Sequence, residues 1–552
     1  MTQIPSSPRV LVIGLDGATY DVLMPLAAAG VMPNLATLLT RAALVDCQST
    51  QPAITPVAWT TVLTGAQPEE HGILDYRYLD AESGALRLNQ ARRVRVPNLF
   101  DAVGRSGDVV SINVPMTYPA PSNLGGLIVG GLDSPSTAAV LEPYPEFARR
   151  LRASGAWYGL ETIWKRKPES FAELSQNVTA TQADFRGRVA AAKIADKLHD
   201  WRLMLVQFQT LDSLQHRCWH LLGLESAPGG HPEWIARLRE ALRTLDDCLG
   251  ELIELAARRR AALVIASDHG FGPFREKISL AELLRQRDLV VRADAPRHVA
   301  HWLWRKTWRW RRSLARRWQP GRSTANIERP LASLAPIDWA RSRAVALHGN
   351  LAGLVYLNTA ARFGAGPIST ADQYDGALAE TMAAFREARH PETGEPLFVD
   401  VFATRERLGC DPLECSWPDV VAIPADGFHT RPKFDRAWRL MVPDPKLTGT
   451  HRAAGVLMID APGVQPGDSC RANLRDVAPT LLQMLGGSTP ASMSGRVLGE
   501  LWGRGDMVPP STARTGARHS SPSPSRFVVA GQPSPQAQAT VEARLRELGY
   551  IE

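Results

Sequence analysis

The sequence predicts an α/β fold, a doubly wound and mostly parallel sheet flanked by helices, with inserted cap segments. Three observations predict it. Residues 9–15, 202–208, 261–266 and 455–460 are short, largely apolar runs, as expected of strands buried on both faces. Segments of helical period alternate with these runs. Several runs also end at an Asp or a His, and the carboxyl ends of strands in such sheets are where ligands bind.

Taken in order, residues 9–15 read as a buried strand that stops at Asp16-Gly17. Residues 33–41 read as a helix with Leu35, Leu38 and Leu39 on one face, and 43–47 as a short strand. A helix is expected to begin at Thr55-Pro56, because proline suits the first helical turn. Helical 97–103 precedes a strand at 108–113, and helical 183–199 precedes a strand at 202–208. A long helix over 232–258 leads to a strand at 261–266, which stops at Asp268-His269. Far downstream come a strand at 455–460 and a helix at 477–485. No internal repeat of fixed period is present.

The chain has 552 residues, enough to bury a large core. Hydrophobic residues make up 44% and charged residues 22%, which excludes a largely disordered, collagenous or disulfide-scaffold protein. No apolar run has the length of a membrane-spanning helix. The N-terminus carries no secretory pattern, so a cytoplasmic location is expected. The six cysteines form no C-x-x-C pair and read as buried small side chains in a reducing compartment. Composition divides the chain into a first core part (1–290), a Trp- and Arg-rich insert (291–340), a second core part with cap elements (341–502), and a tail (503–552). The tail combines a Pro/Ser-rich flexible linker with a short helix over 540–550 that docks back.

The polar residues at the strand ends carry the chemistry. Asp16 follows the first strand, Asp212 and His216 the strand at 202–208, and Asp268 and His269 the strand at 261–266. His451 precedes the strand at 455–460. On one sheet edge these three carboxylates and three imidazoles call for a cation. Oxygen and nitrogen donors suit zinc, with manganese and iron also compatible. A catalytic zinc takes about three protein ligands, so the set fits two metals. Taken singly the residues are ambiguous, since Asp16 also suits a turn, Asp212 and His216 a capping pair, and His451 a hydrogen-bonded core. A two-metal phosphoryl-transfer site also needs an oxygen nucleophile. Thr55 qualifies, at a helix start whose free amides favour phosphate, although a threonine there is also an ordinary helix cap.

These motifs together resemble the alkaline phosphatase superfamily, in particular its type I phosphodiesterase and nucleotide pyrophosphatase branch. The matching pieces are 11–17, Met32-Pro-Asn-Leu35, Thr55-Pro-Val-Ala-Trp59, Leu63-Thr-Gly65 with His71-Gly-Ile73, Asp212-x3-His216, 267–271, Gly449-Thr-His451-Arg452, and the Asp476-Val-Ala-Pro-Thr480 segment. They follow the family's order over residues about 9 to 500. The resemblance implies that Asp16, Asp268 and His269 hold one zinc, together with the Thr55 oxygen. Asp212, His216 and His451 hold the other. It further implies that Thr55 is the nucleophile of a phosphoryl hydrolase acting on phosphate-ester small molecules. Alternatives on the same scaffold are a phosphomonoesterase or a phosphoryl transferase. A reading of another class is a non-catalytic membrane-surface binding protein. One departure stands out. The pyrophosphatases carry an asparagine 21 residues after the nucleophile, where this chain has Tyr76. The Thr-Pro-Val-Ala-Trp motif also differs from the Cys or Ser motif of sulfatases.

Five of the fifteen tryptophans and seven basic residues lie between 302 and 318, and those seven charges match the whole net charge of +7. On a helix, Leu303, Trp304, Trp308, Trp310, Leu314 and Trp318 share an arc of about 160°. Arg305, Arg309, Arg312 and Arg316 share a separate arc. The preferred reading is a cap helix over the site. Peripheral contact with an anionic membrane is second, and nucleic acid third.

Overall fold

The computed structural model describes residues 8–80, 85–104, 108–121, 126–223, 231–293, 337–363, 366–409, 416–435, 437–503 and 534–551. The described residues form two units. The first comprises 1–76, 89–274 and 445–550. The second comprises 77–88, 275–444 and the last two residues. These boundaries differ from those at 290, 340 and 502 read from composition, because contacts follow sheet membership whereas composition follows local sequence. The Trp/Arg stretch 302–318 lies outside the described residues. Among the described residues, no single helix is long and apolar enough to cross a membrane.

The first unit is built on an eight-stranded sheet. Its strands are β1 (Val10–Leu15), β2 (Ala43–Gln48), β3 (Val109–Val114), β4 (Leu127–Gly130), β5 (Leu203–Phe208), β6 (Ala262–Ala266), β9 (Ala454–Asp460) and β10 (Gly467–Asn473). The order across the sheet is β10-β2-β9-β6-β1-β5-β3-β4. All pairings are parallel except those of β9, which is antiparallel to both β2 and β6. A two-stranded ribbon, β7 (Gly270–Pro273) with β8 (Gly449–Arg452), lies between β6 and β9 in the chain and pairs His451 with Phe271.

Alternation along the strands fills two cores. Leu11, Ile13 and Leu15 of β1 join Met204, Val206 and Phe208 of β5 on one face. That face is covered by α4 (Phe171–Leu198) and α6 (Pro232–Arg259), through Phe185, Val189, Leu242 and Leu249. Val10 and Val12 point to the opposite face, with Leu203, Leu205 and Val264. There α3 (Thr55–Thr64) and α7 (Val477–Met484) pack through Trp59, Val62, Leu481 and Leu482. Period-two side chains covered on both sides are the physical definition of a doubly wound sheet, so the predicted fold class holds.

The remaining helices that matter are α1 (Tyr20–Ala28), α2 (Pro33–Leu39), α5 (Thr210–Cys218) and α8 (Pro535–Leu548). The predicted elements reappear with ends moved by a few residues, the helix at 183–199 being the N-terminally extended α4. Two strands of the eight-stranded sheet had no signal in the sequence. β4 is only four residues long, and β10 is a polar edge strand whose register shifts between Asp468 and Cys470.

The second unit has its own core. A four-stranded antiparallel sheet runs in the order Ala344–His348, Gly353–Leu357, Val420–Pro424, Phe398–Ala403. The helix Ala371–Arg386 packs on it through Leu378, Met382 and Phe385.

Candidate metal centre

Each candidate ligand is delivered by the end of a β element. Asp16 follows β1, and Asp268 and His269 follow β6. Asp212 and His216 sit one turn apart on α5, directly after β5. His451 lies in β8, ahead of β9. The reversed direction of β9 accounts for the last placement. A strand that runs backwards starts at the edge where its parallel neighbours end, so a residue upstream of β9 joins residues downstream of β1, β5 and β6. Thr55 is the first residue of α3, with Pro56 behind it.

These seven residues are gathered and buried. Ligand atoms of Asp16, Asp268 and His269 lie within 4.8 Å of one another, as do those of Asp212, His269 and His451. His269 therefore belongs to both groups, and its ring stacks on His451 at 3.5 Å between centroids. His216 adjoins the second group, with Nε2 3.0 Å from His451 Nε2 and 3.5 Å from Asp212 Oδ2.

The hydrogen bonds around the site show which atoms face inward. His216 Nδ1 lies 2.9 Å from the Gly449 carbonyl, and His451 Nδ1 lies 2.9 Å from the Ala53 carbonyl. His269 Nδ1 lies 3.1 Å from the Gly270 carbonyl. A carbonyl oxygen only accepts, so each Nδ1 carries a proton and Nε2 is the atom turned toward the site. Burial holds His216 down to about 4 and His269 well below the usual histidine range, so both rings are neutral at pH 7. The carboxylates are arranged alike. Trp59 Nε1 (3.1 Å) and Gln207 Nε2 (2.7 Å) donate to Asp16 Oδ2, leaving Oδ1 without a partner. The Gly17 amide donates to Asp268 Oδ1 at 3.2 Å, leaving Oδ2 without one, 3.3 Å from His269 Nε2.

The neutral His216 and His269 rings turn Nε2 lone pairs toward the carboxylates of Asp212 (3.5 Å) and Asp268 (3.3 Å). His216 Nε2 faces His451 Nε2, and His451 Nε2 faces Asp212 Oδ1 at 3.0 Å. Burial, reinforced by Asp268 and Asp212, pushes the Asp16 carboxyl well above its ordinary range. Burial, with Asp212 adding to it, does the same to Asp268. Such a cluster is unfavourable by itself and becomes favourable around cations. Backbone carbonyls that orient the rings through Nδ1 are a usual feature of histidine metal ligands. The donor set fits two divalent cations on these grounds.

Two further residues complete the surroundings. Thr55 Oγ1 and the Tyr76 hydroxyl are buried, and neither completes a hydrogen bond of good geometry. Burial drives the Tyr76 phenol up, with the neighbouring Thr55 hydroxyl pulling slightly the other way. Tyr76 stacks on Tyr550, centroids 5.3 Å apart and planes 10° apart. Tyr550 donates its hydroxyl proton to Asp212 Oδ2. Trp59 stood in the sequence only as part of the Thr55–Trp59 motif and Tyr550 only as the end of a helix expected to dock, neither with a role at the site, and Gln207 was not singled out. Trp59 lies one helical turn beyond Thr55, a spacing that could have flagged it, whereas nothing local marks Tyr550.

Residues 10–326 match the family model described as type I phosphodiesterase / nucleotide pyrophosphatase. Solved structures similar to this chain include murine ectonucleotide pyrophosphatase / phosphodiesterase 5, with 12% identity, 87% of this chain and 95% of that chain covered, and a TM-score of 0.47. The human form of that protein has 13% identity, coverage of 87% and 96%, and a TM-score of 0.48. Phosphonoacetate hydrolase from Sinorhizobium meliloti, in complex with phosphonoformate, has 15% identity, coverage of 87% and 96%, and a TM-score of 0.49.

Proposed function

The chain belongs to the type I phosphodiesterase / nucleotide pyrophosphatase family of phosphoester hydrolases, and on that premise we propose that it hydrolyses small phosphodiesters or pyrophosphates through Thr55 and two divalent cations. The observation that carries this reading is the inward convergence of imidazole Nε2 atoms and carboxylate oxygens next to the start of α3, whose first residue is the buried Thr55. Asp16, Asp268 and His269 would hold one cation, and Asp212, His216 and His451 the other. Zinc is the metal that best suits this donor set. When bound, such ions lower the pKa of a coordinated hydroxyl and neutralise charge on the phosphoryl oxygens.

The chain's own residues divide the remaining work. Thr55 Oγ1 is the acceptor of the phosphoryl group, and α3 directs its positive N-terminal end toward the phosphate. Trp59 and Gln207 hold Asp16, and the Gly17 amide holds Asp268, so that each keeps one oxygen turned inward. Tyr76 stands where nucleotide-cleaving relatives carry an asparagine, which favours a substrate other than a nucleotide.

The test pairs metal analysis with hydrolysis of p-nitrophenyl diesters and monoesters. About two metals per chain are expected, with diester cleavage reduced at least about a thousandfold in Thr55→Ala. Monoester preference would shift the reading to a phosphatase. No bound metal and no turnover after zinc or manganese addition would overturn it.

A further inference from the structure

The C-terminal helix α8 ends at the catalytic edge, and its last turn is built to place one side chain there. Val541, Leu545 and Leu548 are buried. The Arg544 guanidinium donates to the Leu132 and Ser134 carbonyls, both at 2.7 Å. Arg217 donates to the carbonyls of Glu547 (3.1 Å) and Leu548 (3.0 Å), capping the helix end where carbonyls lack intrahelical partners. Gly549 then takes φ +89°, and the Tyr550 amide closes the turn on the Leu545 carbonyl at 2.9 Å. This reversal drops the Tyr550 ring into the metal centre.

There Tyr550 is 4% exposed. Its hydroxyl donates to Asp212 and accepts from Gln209 Nε2 at 3.2 Å. Its ring lies against Tyr76 and meets the rings of His216 and His451 edge-on at 5.9 and 6.4 Å. Thr55 and Asp212 are 0% exposed. A nucleophile must come within about 3.5 Å of phosphorus in a suitable line of approach. A phosphate beside Thr55 and Asp212 needs the space that this ring and hydroxyl fill.

We propose that segment 534–550 is an intramolecular inhibitor, with Tyr550 as a plug that must leave the metal centre before a phosphate ester can enter. The proposal rests on the reading of this edge as the site of phosphoryl transfer. A segment closed about ten times more often than open weakens apparent substrate affinity about tenfold.

The test uses the full-length chain with Tyr550→Ala, and with Arg544→Ala, which cuts an anchor away from the metal centre. Two quantities are read. One is kcat/KM for bis(p-nitrophenyl) phosphate with added zinc. The other, on metal-free protein, is the rate at which diethylpyrocarbonate modifies His216 and His451, followed by peptide mass spectrometry. Both quantities are expected to rise roughly tenfold in both variants, in keeping with a closed state favoured about tenfold. Unchanged modification rates overturn the proposal. So does slower hydrolysis in Tyr550→Ala, which would make Tyr550 a standing part of the site. If Tyr550→Ala does not fold, Arg544→Ala alone decides. If no protein turns over substrate, the phosphoryl-transfer reading fails by itself, and the modification rates still decide whether the segment covers the site.

Discussion

Gly14 and His71 show how single positions support the site from outside it. A Cβ at Gly14 would come within 2.5 Å of Trp59 Cη2 and 3.1 Å of Gln207 Cγ, the two side chains that hold Asp16. Gly14→Ala is therefore expected to displace Trp59, destabilise the protein by about 1–3 kcal/mol and weaken metal retention. Urea unfolding and metal content after gel filtration check this. His71 is fully buried; its Nδ1 accepts the Ile73 amide at 3.1 Å and its Nε2 lies 3.0 Å from Thr61 Oγ1. Burial, aided by Arg95, lowers it to about 3. The unfolded chain takes up this proton near pH 6.5 and the folded chain only near pH 3, so stability is lost as pH falls through that interval. Between pH 7 and 5 this amounts to about 2 kcal/mol, and His71→Gln should remove that part of the acid sensitivity in urea titrations at the two pH values.

Among the elements, α2 shows what a motif does once it is placed. Asp246 of α6 accepts from the amides of Asn34 (2.9 Å) and Leu35 (2.8 Å), capping the first turn of a helix that has no cap of its own. Asn34 Nδ2 returns a bond to the Asp246 carbonyl at 3.2 Å. Asp246→Ala would leave two helix amides unsatisfied next to the core. A loss of about 2–3 kcal/mol in urea unfolding is expected, with a smaller loss for Asp246→Asn. The sequence offered Met32-Pro-Asn-Leu35 only as a resemblance, because its partner stands over 200 residues away. The strands were easier to read. Runs such as 202–208 and 261–266 are too short for a buried helix and almost continuously apolar, Gln207 being the main interior exception, which suits a strand covered on both faces. The helix at 20–28 was missed, since Pro25 inside it and its weak polarity contrast hide the period.

For the molecule as a whole, the site is a convergence of distant parts of the chain. The unit that contains it is assembled from three stretches, with residues 275–444 forming a separate sheet and core between the second and third. On the proposed two-cation reading, the buried carboxylates and imidazoles lack their counter-charge in the metal-free state. Chelation is therefore expected to lower the melting temperature, whereas zinc restored to about a thousand times its dissociation constant should return about 4 kcal/mol. Calorimetry with and without chelator checks this, and an unchanged midpoint would count against buried cations.

Local pattern was enough for the fold class, for most strands of the large sheet, and for the identity of the residues at their ends. Hydrophobic period and the residues that end each run are properties of neighbours in sequence, and those a sequence displays. Contacts between residues hundreds of positions apart follow from packing and leave no local trace. The backward course of β9, which brings His451 to Asp212, is of this kind. So are the cap that Asp246 provides for α2 and the arrival of Tyr550 at Asp212.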